Sequence, residues 1–150
     1  MKQLAAITEF LIGLDLVAAE NIDSWVENPQ IVPAGTVKTN DAVVIYRQTY
    51  TALIAIERWP HKARPVELLF AHISAWLIDN DGERFDDKDA KVTTDVEIMD
   101  DDTADIEIGI DFIEEIEIVQ DSGGPIFLNG FHWRLADAVI DYAETGDVKT

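Results

Sequence analysis

The chain has 150 residues, of which 47% are hydrophobic and 27% charged, a composition that indicates a globular protein with one core and excludes a disordered one. Lys and Arg number 11 against 30 Asp and Glu, and the resulting formal net charge of -19 disfavours binding to nucleic-acid phosphates or anionic lipid. Cysteine is absent, which excludes disulfides and thiolate metal sites and fits a reducing compartment.

The acidic balance leaves two interpretations open. It either serves solubility, including adaptation to a salty setting, or provides a surface that does not adhere to DNA passing nearby. Charged residues interrupt every long apolar stretch (Glu9, Asp15, Glu57 and Asp79), so the sequence predicts no membrane span. Glu9 also breaks the apolar region that a signal peptide needs, and we expect no export.

The first 42 residues combine one helical pattern with several breaks. Apolar residues spaced by three and four predict a helix near the start: Leu4, Ile7, Phe10, Leu11 and Leu14. A short apolar piece, Ile22 to Val26, ends at the turn signal Asn28-Pro29. Pro33, Gly35 and Asn40-Asp41 predict that the following segment is a loop.

A long strand and a helix follow. Val43 to Trp59 alternates β-branched and aromatic residues with polar ones, which predicts one strand that ends at Pro60. Pro65 suits the first turn of a helix. An apolar stripe at helical spacing then extends to the Asp79–Gly82 break: Val66, Leu69, Phe70, Ile73, Trp76 and Leu77. The polar run up to Lys91 predicts a loop.

The last third of the sequence has patterns that predict two hairpins and a helix. Thr94, Val96 and Ile98 form one alternating strand, and isoleucines alternate with acidic residues from 106 to 118 in the next. Asp100-Asp101-Asp102 connects these two strands. After the break at Ser122–Pro125, Asn129-Gly130 predicts a tight hairpin within Ile126–Trp133. A final short helix is predicted from the apolar residues Leu135, Ala138, Val139 and Tyr142.

This order of elements predicts an α+β fold. We expect a mostly antiparallel sheet of about four strands with the helices packed on one face, in a single domain over residues 1–150. The two longest predicted strands, 43–59 and 104–119, offer edges that could pair between subunits.

Two local strings imitate known functional motifs. Asp121-Ser122-Gly123-Gly124-Pro125 is similar to the nucleophile segment of trypsin-like proteases, but the chain is too short for two barrels and Gln120 replaces a glycine of that motif. Asp79-Asn80-Asp81-Gly82 suggests a calcium loop, yet the twelfth position would be Lys88. Both strings are therefore interpreted as turns.

The sequence predicts no catalytic, cofactor or metal site. Asp100, Asp101, Asp102 and Asp105 could surround a hard cation, although a solvated acidic turn is the preferred interpretation. The three histidines are scattered without zinc-ligand spacing, and acidic pairs such as Glu114 with Glu117 are too common here to indicate acid–base catalysis. The protein is expected not to be an enzyme.

Three ordered segments carry a resemblance to a known family. The strand "YRQTYTALIAIERWP", the helix "PVELLFAHISAWL" and the acidic hairpin "DVEIMDDDTADIEIGIDFIEEIEIV" together resemble the phage tail completion proteins of the R type (GpR) of contractile-tailed phages and prophages. The similarity runs from about Asn21 to Val119, with Asp102 to Ile118 as its most specific part. Residues 123–150 form a C-terminal extension outside it.

The resemblance implies an assembly protein with a tail-terminator-like fold. Such proteins act at the head-proximal end of the tail, cap the tube and make it competent to join the filled head. It implies a hexameric ring, contacts with the tube protein and with other completion or connector proteins, and assembly in the host cytoplasm before incorporation into the virion tail. We expect an interface at Asn80, Glu83, Arg84, Asp100, Asp101, Asp102 and Asp105.

Two alternative functions and one hypothesis remain at this stage. An acidic adaptor or antitoxin-like module could mask a basic partner, and an enzyme with an unrecognised carboxylate site is a more remote alternative. For a ring, the charge balance suggests an acidic lumen along which DNA slides without binding.

Overall fold

A computed structural model describes residues 1–82 and 91–136. Within these ranges, two α-helices, a short 3-10 helix at Ala19–Asn21 and six strands follow one another. The α-helices are α1 (Lys2–Gly13) and α2 (Val66–Asn80), and the strands are β1 (Ile22–Val37), β2 (Val43–Trp59), β3 (Thr93–Ile98), β4 (Ala104–Gln120), β5 (Ile126–Leu128) and β6 (Phe131–Leu135). Neither α-helix is long and apolar enough to cross a membrane. The mostly antiparallel α+β composition agrees with the sequence prediction.

The strands form one six-stranded sheet in the order β1-β2-β4-β6-β5, with β3 paired to β4 outside this path. The sheet is therefore larger than the predicted four strands. The prediction that 43–59 and 104–119 offer free edges is wrong, because β2 and β4 each lie between hydrogen-bonded neighbours. The strands at the ends of the order are β1 and β5.

The chain divides into two compact units. The first comprises residues 1–29 and 50–112, and the second comprises residues 30–49 and 113–150, of which the structure describes those up to 136. Three strands, β1, β2 and β4, contribute residues to both units.

The first unit holds the larger core. Buried side chains from α1, α2, β2 and β4 form one cluster in which Trp59, Ile54, Ile108 and Ile110 are almost fully enclosed. The Phe112 ring lies 5.8 Å from the Tyr50 ring and 6.4 Å from the Trp76 ring, measured between centroids. Aromatic contacts at these separations add to the stabilisation from burial itself.

The strands of this unit follow the predicted alternation. In β2, every second residue from Tyr50 to Ile56 is buried, and in β4 the residues Ile106, Ile108 and Ile110 are buried. β3 and β4 pair antiparallel from Thr93 opposite Gly109 to Ile98 opposite Ala104, so the predicted hairpin around the three aspartates is confirmed.

A local irregularity ends the alternation in β2. Arg58 has a positive φ of 59°, a conformation that is uncommon for a non-glycine residue. The following side chain, Trp59, is buried although the strict alternation would place it outside. The indole nitrogen of Trp59 then donates a hydrogen bond to the Arg64 carbonyl oxygen at 3.0 Å, which satisfies its polar group.

The second unit has a small core of its own. Val43, Ile118 and Trp133 are buried together, and Ile45, Ile126 and Leu128 pack against them. β4 pairs with β6 through Ile118 to Gln120, and β5 pairs with β6 across the turn at Asn129 and Gly130. Both turn residues have positive φ, as a tight two-residue hairpin requires, so this prediction is confirmed.

The prediction of a loop between Asn28 and residue 42 is wrong for most of that segment, because it belongs to a strand. β1 continues to Val37 through Pro29 and Pro33, with positive φ at Asn28 and Gly35. Proline lacks the amide donor that an interior strand needs, but an edge strand tolerates it where the missing donor faces outward. Because β1 lies at the end of the strand order, the turn signals in its sequence do not interrupt it.

In the second unit, one prediction is confirmed and another is corrected. The alternation predicted for β4 continues past Phe112, because Ile113 and Glu115 are exposed whereas Glu114 and Ile118 are buried. Leu135, predicted to begin a helix, belongs to β6. Ala138, Val139 and Tyr142 of that predicted helix lie outside the described residues.

Candidate interaction surfaces

The turn between β3 and β4 is organised by one aspartate. Asp100 Oδ1 accepts hydrogen bonds from the Asp102 amide at 2.9 Å and from the Thr103 amide at 2.7 Å, and the Thr103 hydroxyl donates to the same oxygen at 3.0 Å. These donors, led by the Asp102 amide, hold the pKa of Asp100 below its ordinary value of 3.8. The Asp100 carboxylate therefore stabilises the turn in which it lies.

Asp100→Asn is expected to lower the thermal unfolding midpoint at neutral pH, because a neutral amide oxygen accepts these hydrogen bonds more weakly than a carboxylate. The lowered pKa means that the carboxylate contributes fully above pH 3.8 and loses its contribution as the pH falls through the folded-state pKa. The difference in midpoint between the two proteins should disappear in acid. Circular dichroism melts from neutral pH down to about pH 2 measure it.

Asp101→Asn is the matched control for this prediction. The Asp101 carboxylate lies in the same turn but makes no hydrogen bond with any residue in the described ranges. It should leave the unfolding midpoint almost unchanged at every pH. An Asp100→Asn deficit of constant size from neutral to acidic pH would contradict the role given to the charge.

Other groups join the turn to the end of β2 and the loop after it. The Arg58 amide donates to Asp105 Oδ1 at 3.1 Å, and His61 Nε2 lies 3.0 Å from the Asp100 carbonyl oxygen. Lys62 Nζ is 3.8 Å from Asp102 Oδ1, but both side chains are highly exposed and such a pair contributes little. The structure thus brings Asp100, Asp102 and Asp105 into one region of the first unit.

The remaining residues of the predicted interface are not joined to this region by the described contacts. Asn80 ends α2, where its Nδ2 donates to the Trp76 carbonyl oxygen at 2.9 Å and its own carbonyl oxygen accepts from Gln3 Nε2. Glu83 and Arg84 lie outside the described residues. The seven-residue interface stays a prediction.

The candidate cation site has no support from this geometry. Among residues 1–82 and 91–136, no group of three or more His, Cys, Asp or Glu side chains is arranged to hold a metal ion. The protease-like string at 121–125 forms a turn, in which Asp121 Oδ1 accepts from the Gly123 amide at 3.0 Å and the Asp121 carbonyl oxygen accepts from the Gly124 amide at 2.8 Å. The carboxylate of Asp121 also lies 3.5 Å from Arg134 Nε.

In the second unit, basic side chains partly neutralise the acidic side of β4. Lys38 Nζ lies 3.3 Å from Glu115 and 3.7 Å from Glu117, and Arg47 lies 3.6 Å from Glu115. All four side chains are substantially exposed, so these pairs contribute little stability. They leave this surface with two acidic and two basic groups in contact.

Glu114 and Gln48 form a buried polar pair on the opposite side of the strands. Gln48 Nε2 donates to Glu114 Oε1 at 3.5 Å, and both residues are more than nine-tenths buried. Burial of a carboxylate is costly without such partners. The sequence carries a signal of this pair, because both polar residues stand at positions where the alternation of β2 and β4 otherwise places apolar side chains.

The sequence analysis also did not identify two uncharged segments with exposed apolar side chains. In β1, Ile31, Val32 and Val37 are each more than half exposed. In the β5–β6 hairpin, Phe127 and Phe131 are also more than half exposed. The detectable signal was the absence of any acidic or basic residue from Asn28 to Val37 and from Ser122 to Phe131, in a chain where 27% of residues are charged.

Two comparisons with known proteins both find similarity to phage proteins. A family model described as P2 phage tail completion protein R (GpR) matches residues 1–137. A protein of Haemophilus phage HP1 (strain HP1c1), described as "uncharacterized 19.2 kDa protein in rep-hol intergenic region", is 27% identical over 128 residues, which are 85% of this chain and 77% of that protein. No solved structure gives a significant match.

Proposed function

The chain belongs to the P2 phage tail completion protein R (GpR) family, and on this basis we propose that it completes and caps the head-proximal end of the tail and enables head–tail joining. Family membership makes the protein a structural component of the phage tail that works together with other tail proteins. The observation that carries the proposal is the extent of the match, which covers residues 1–137 of 150 and so reaches both compact units.

We propose a single tail-completion domain with a tail-terminator-like layout, in which both helices cover one face of the sheet. The shared cluster of buried residues from α1, α2, β2 and β4 supports this arrangement, because a common core holds these four elements together. A rigid subunit of this kind presents fixed surfaces to its neighbours, as a cap must do.

The proposed partners are the tail tube protein and other completion or head–tail connector proteins. The β3–β4 turn supports a docking role, since Asp100 holds the loop in one conformation while the carboxylate of Asp101 stays available to a partner. Asn80, Asp102 and Asp105 remain part of the proposed interface, together with Glu83 and Arg84. We also propose that the subunits form a hexameric ring, assembled in the host cytoplasm and then retained in the virion.

The proposed role requires no catalysis, and we propose that the protein is not an enzyme. The net charge of -19 supports a further element, namely an acidic lumen that lets DNA pass without binding. In the first unit, Glu107 and Asp111 project from the exposed side of β4 and supply part of this charge. A ring structure with a neutral or basic interior would contradict the acidic lumen.

A nonsense mutation in the gene tests the function directly. Electron microscopy of lysates is expected to show tails that are overlong or lack heads, because an uncapped tube neither stops growing nor joins the filled head. The full chain supplied in trans should restore joined virions, and a trans copy carrying the same nonsense mutation is the control. Normal joined virions made without the protein would end the proposal.

A further inference from the structure

We propose that two uncharged segments, residues 30–37 of β1 and residues 126–131 of the β5–β6 hairpin, join neighbouring copies of this chain in the ring. The outer half of β1, residues 30–37, in one copy packs against the uncharged part of the β5–β6 hairpin, residues 126–131, of the next copy. The inference rests on the proposed ring and names the surfaces that hold its subunits together. Both segments belong to the second unit.

The outer half of β1 lacks cover from its own chain. Every residue from Glu27 to Val37 is exposed, so neither face of this strand segment is covered. Neighbouring residues on a strand point to opposite faces, yet Ile31 is 63% exposed and Val32 is 59% exposed. An edge strand that shows apolar side chains on both faces is normally protected by charge, and β1 carries none from Asn28 onward.

The β5–β6 hairpin offers a matching surface. Phe127 is 68% exposed and Phe131 is 56% exposed. They lie on opposite faces of the hairpin, because Leu128 pairs with Phe131 while Phe127 pairs with His132. Trp133 Nε1 donates a hydrogen bond to the Leu128 carbonyl oxygen at 3.0 Å, which ties the two strands of the hairpin together. Large aromatic side chains on a preorganised hairpin are typical anchors of protein interfaces.

The distribution of charge favours a second copy of this chain as the partner of the two segments. Two chains that each carry a net charge of -19 repel one another wherever acidic surfaces meet. They can approach closely where charge is absent, and the two segments combine that absence with exposed apolar area. The other outer strand, β3, does not qualify, because Asp95 and Glu97 lie on it.

Topology determines the kind of contact. β1 and β5 occupy the two ends of the order β1-β2-β4-β6-β5, so a contact between them joins different surfaces of the two copies. A head-to-tail contact of this type generates a closed ring when the rotation between subunits closes. Pro29 and Pro33 remove backbone donors from β1, so we assign the contact mainly to side chains and not to a continuous strand ladder.

Cysteine cross-linking tests this contact cleanly, because the chain has no cysteine of its own. Virion tails are prepared with the full chain carrying Val32→Cys and Phe127→Cys, and are treated with a short bis-maleimide reagent. A head-to-tail ring is expected to give a ladder of cross-linked species that ends at the closed ring in denaturing gels. Either single-cysteine chain alone should remain uncross-linked.

A second double variant provides the control. Ile98→Cys with Phe127→Cys places one thiol on β3, where Ile98 is 60% exposed, and should give no ladder. Two results would overturn the inference: equal ladders from both double variants, or dimers from Val32→Cys alone, which would show that β1 meets β1. Loss of the ladder in tails that are normally capped and joined to heads would also overturn it, while leaving the tail-completion role intact.

Discussion

Ile110→Ala is expected to lower the free energy of unfolding by about 2–5 kcal/mol, because the substitution removes buried methyl groups and leaves a cavity in the core of the first unit. Ile110 is 0% exposed and belongs to the cluster shared by α1, α2, β2 and β4. The core is close-packed, so its neighbours can refill only part of the space. Urea denaturation followed by tryptophan fluorescence and circular dichroism measures the change.

The same substitution three residues further along the strand is the control. Ile113 is 64% exposed on β4, and Ile113→Ala should change the free energy of unfolding by no more than about 0.5 kcal/mol. The pair therefore tests the pattern of burial on β4 directly. A larger loss in Ile113→Ala than in Ile110→Ala would contradict the placement of β4, since a shift by one residue would exchange its two faces.

The elements with a single consistent pattern could be predicted from sequence. Between Tyr50 and Ile56 in β2 and between Ile106 and Phe112 in β4, the large buried side chains are those that the pattern assigns to one face. α2 has an apolar stripe at helical spacing, and it begins after Pro65 and ends at Asn80 as predicted. In these segments local preference and tertiary burial act in the same direction.

β1 could not be predicted because its local signals conflict with its position. Asn28-Pro29, Pro33 and Gly35 normally indicate turns, and only the place of β1 at the end of the sheet makes them compatible with a strand. The burial of Glu114 also depends on tertiary context. One of its partners, Gln48, is 66 residues away in sequence and donates a hydrogen bond to it, a contact that local periodicity does not encode.

The candidate surfaces were predicted only in part. The three aspartates suggested an exposed acidic turn, and Asp100 does organise that turn. The exposed apolar segments of β1 and of the β5–β6 hairpin depend on strand order, which no periodicity encodes. The family resemblance, in contrast, was detectable from three segments and is confirmed by the match over residues 1–137.

Gly124→Ala is expected to destabilise the β5–β6 hairpin by an amount near the upper end of about 1–3 kcal/mol, the usual range for overpacking. Gly124 is buried, and a methyl group on its Cα would overlap the backbone carbonyl group of Trp133. The backbone cannot move away without loss, because the Gly124 amide donates to the Asp121 carbonyl oxygen at 2.8 Å and its own carbonyl oxygen lies 3.1 Å from His132 Nδ1.

The adjacent glycine provides the control and defines what would contradict this prediction. An added methyl group at Gly123 would have Asp121 Oδ1 as its nearest neighbour at 3.7 Å, an ordinary contact, so Gly123→Ala should be neutral or stabilising by less than about 1 kcal/mol. Hydrogen exchange of the amides in residues 126–135 measures the local effect and should be accelerated only in Gly124→Ala. Equal exchange in the two variants would show that Gly124 does not approach Trp133, and the hairpin would then lack the fixed position that a neighbouring copy needs for docking.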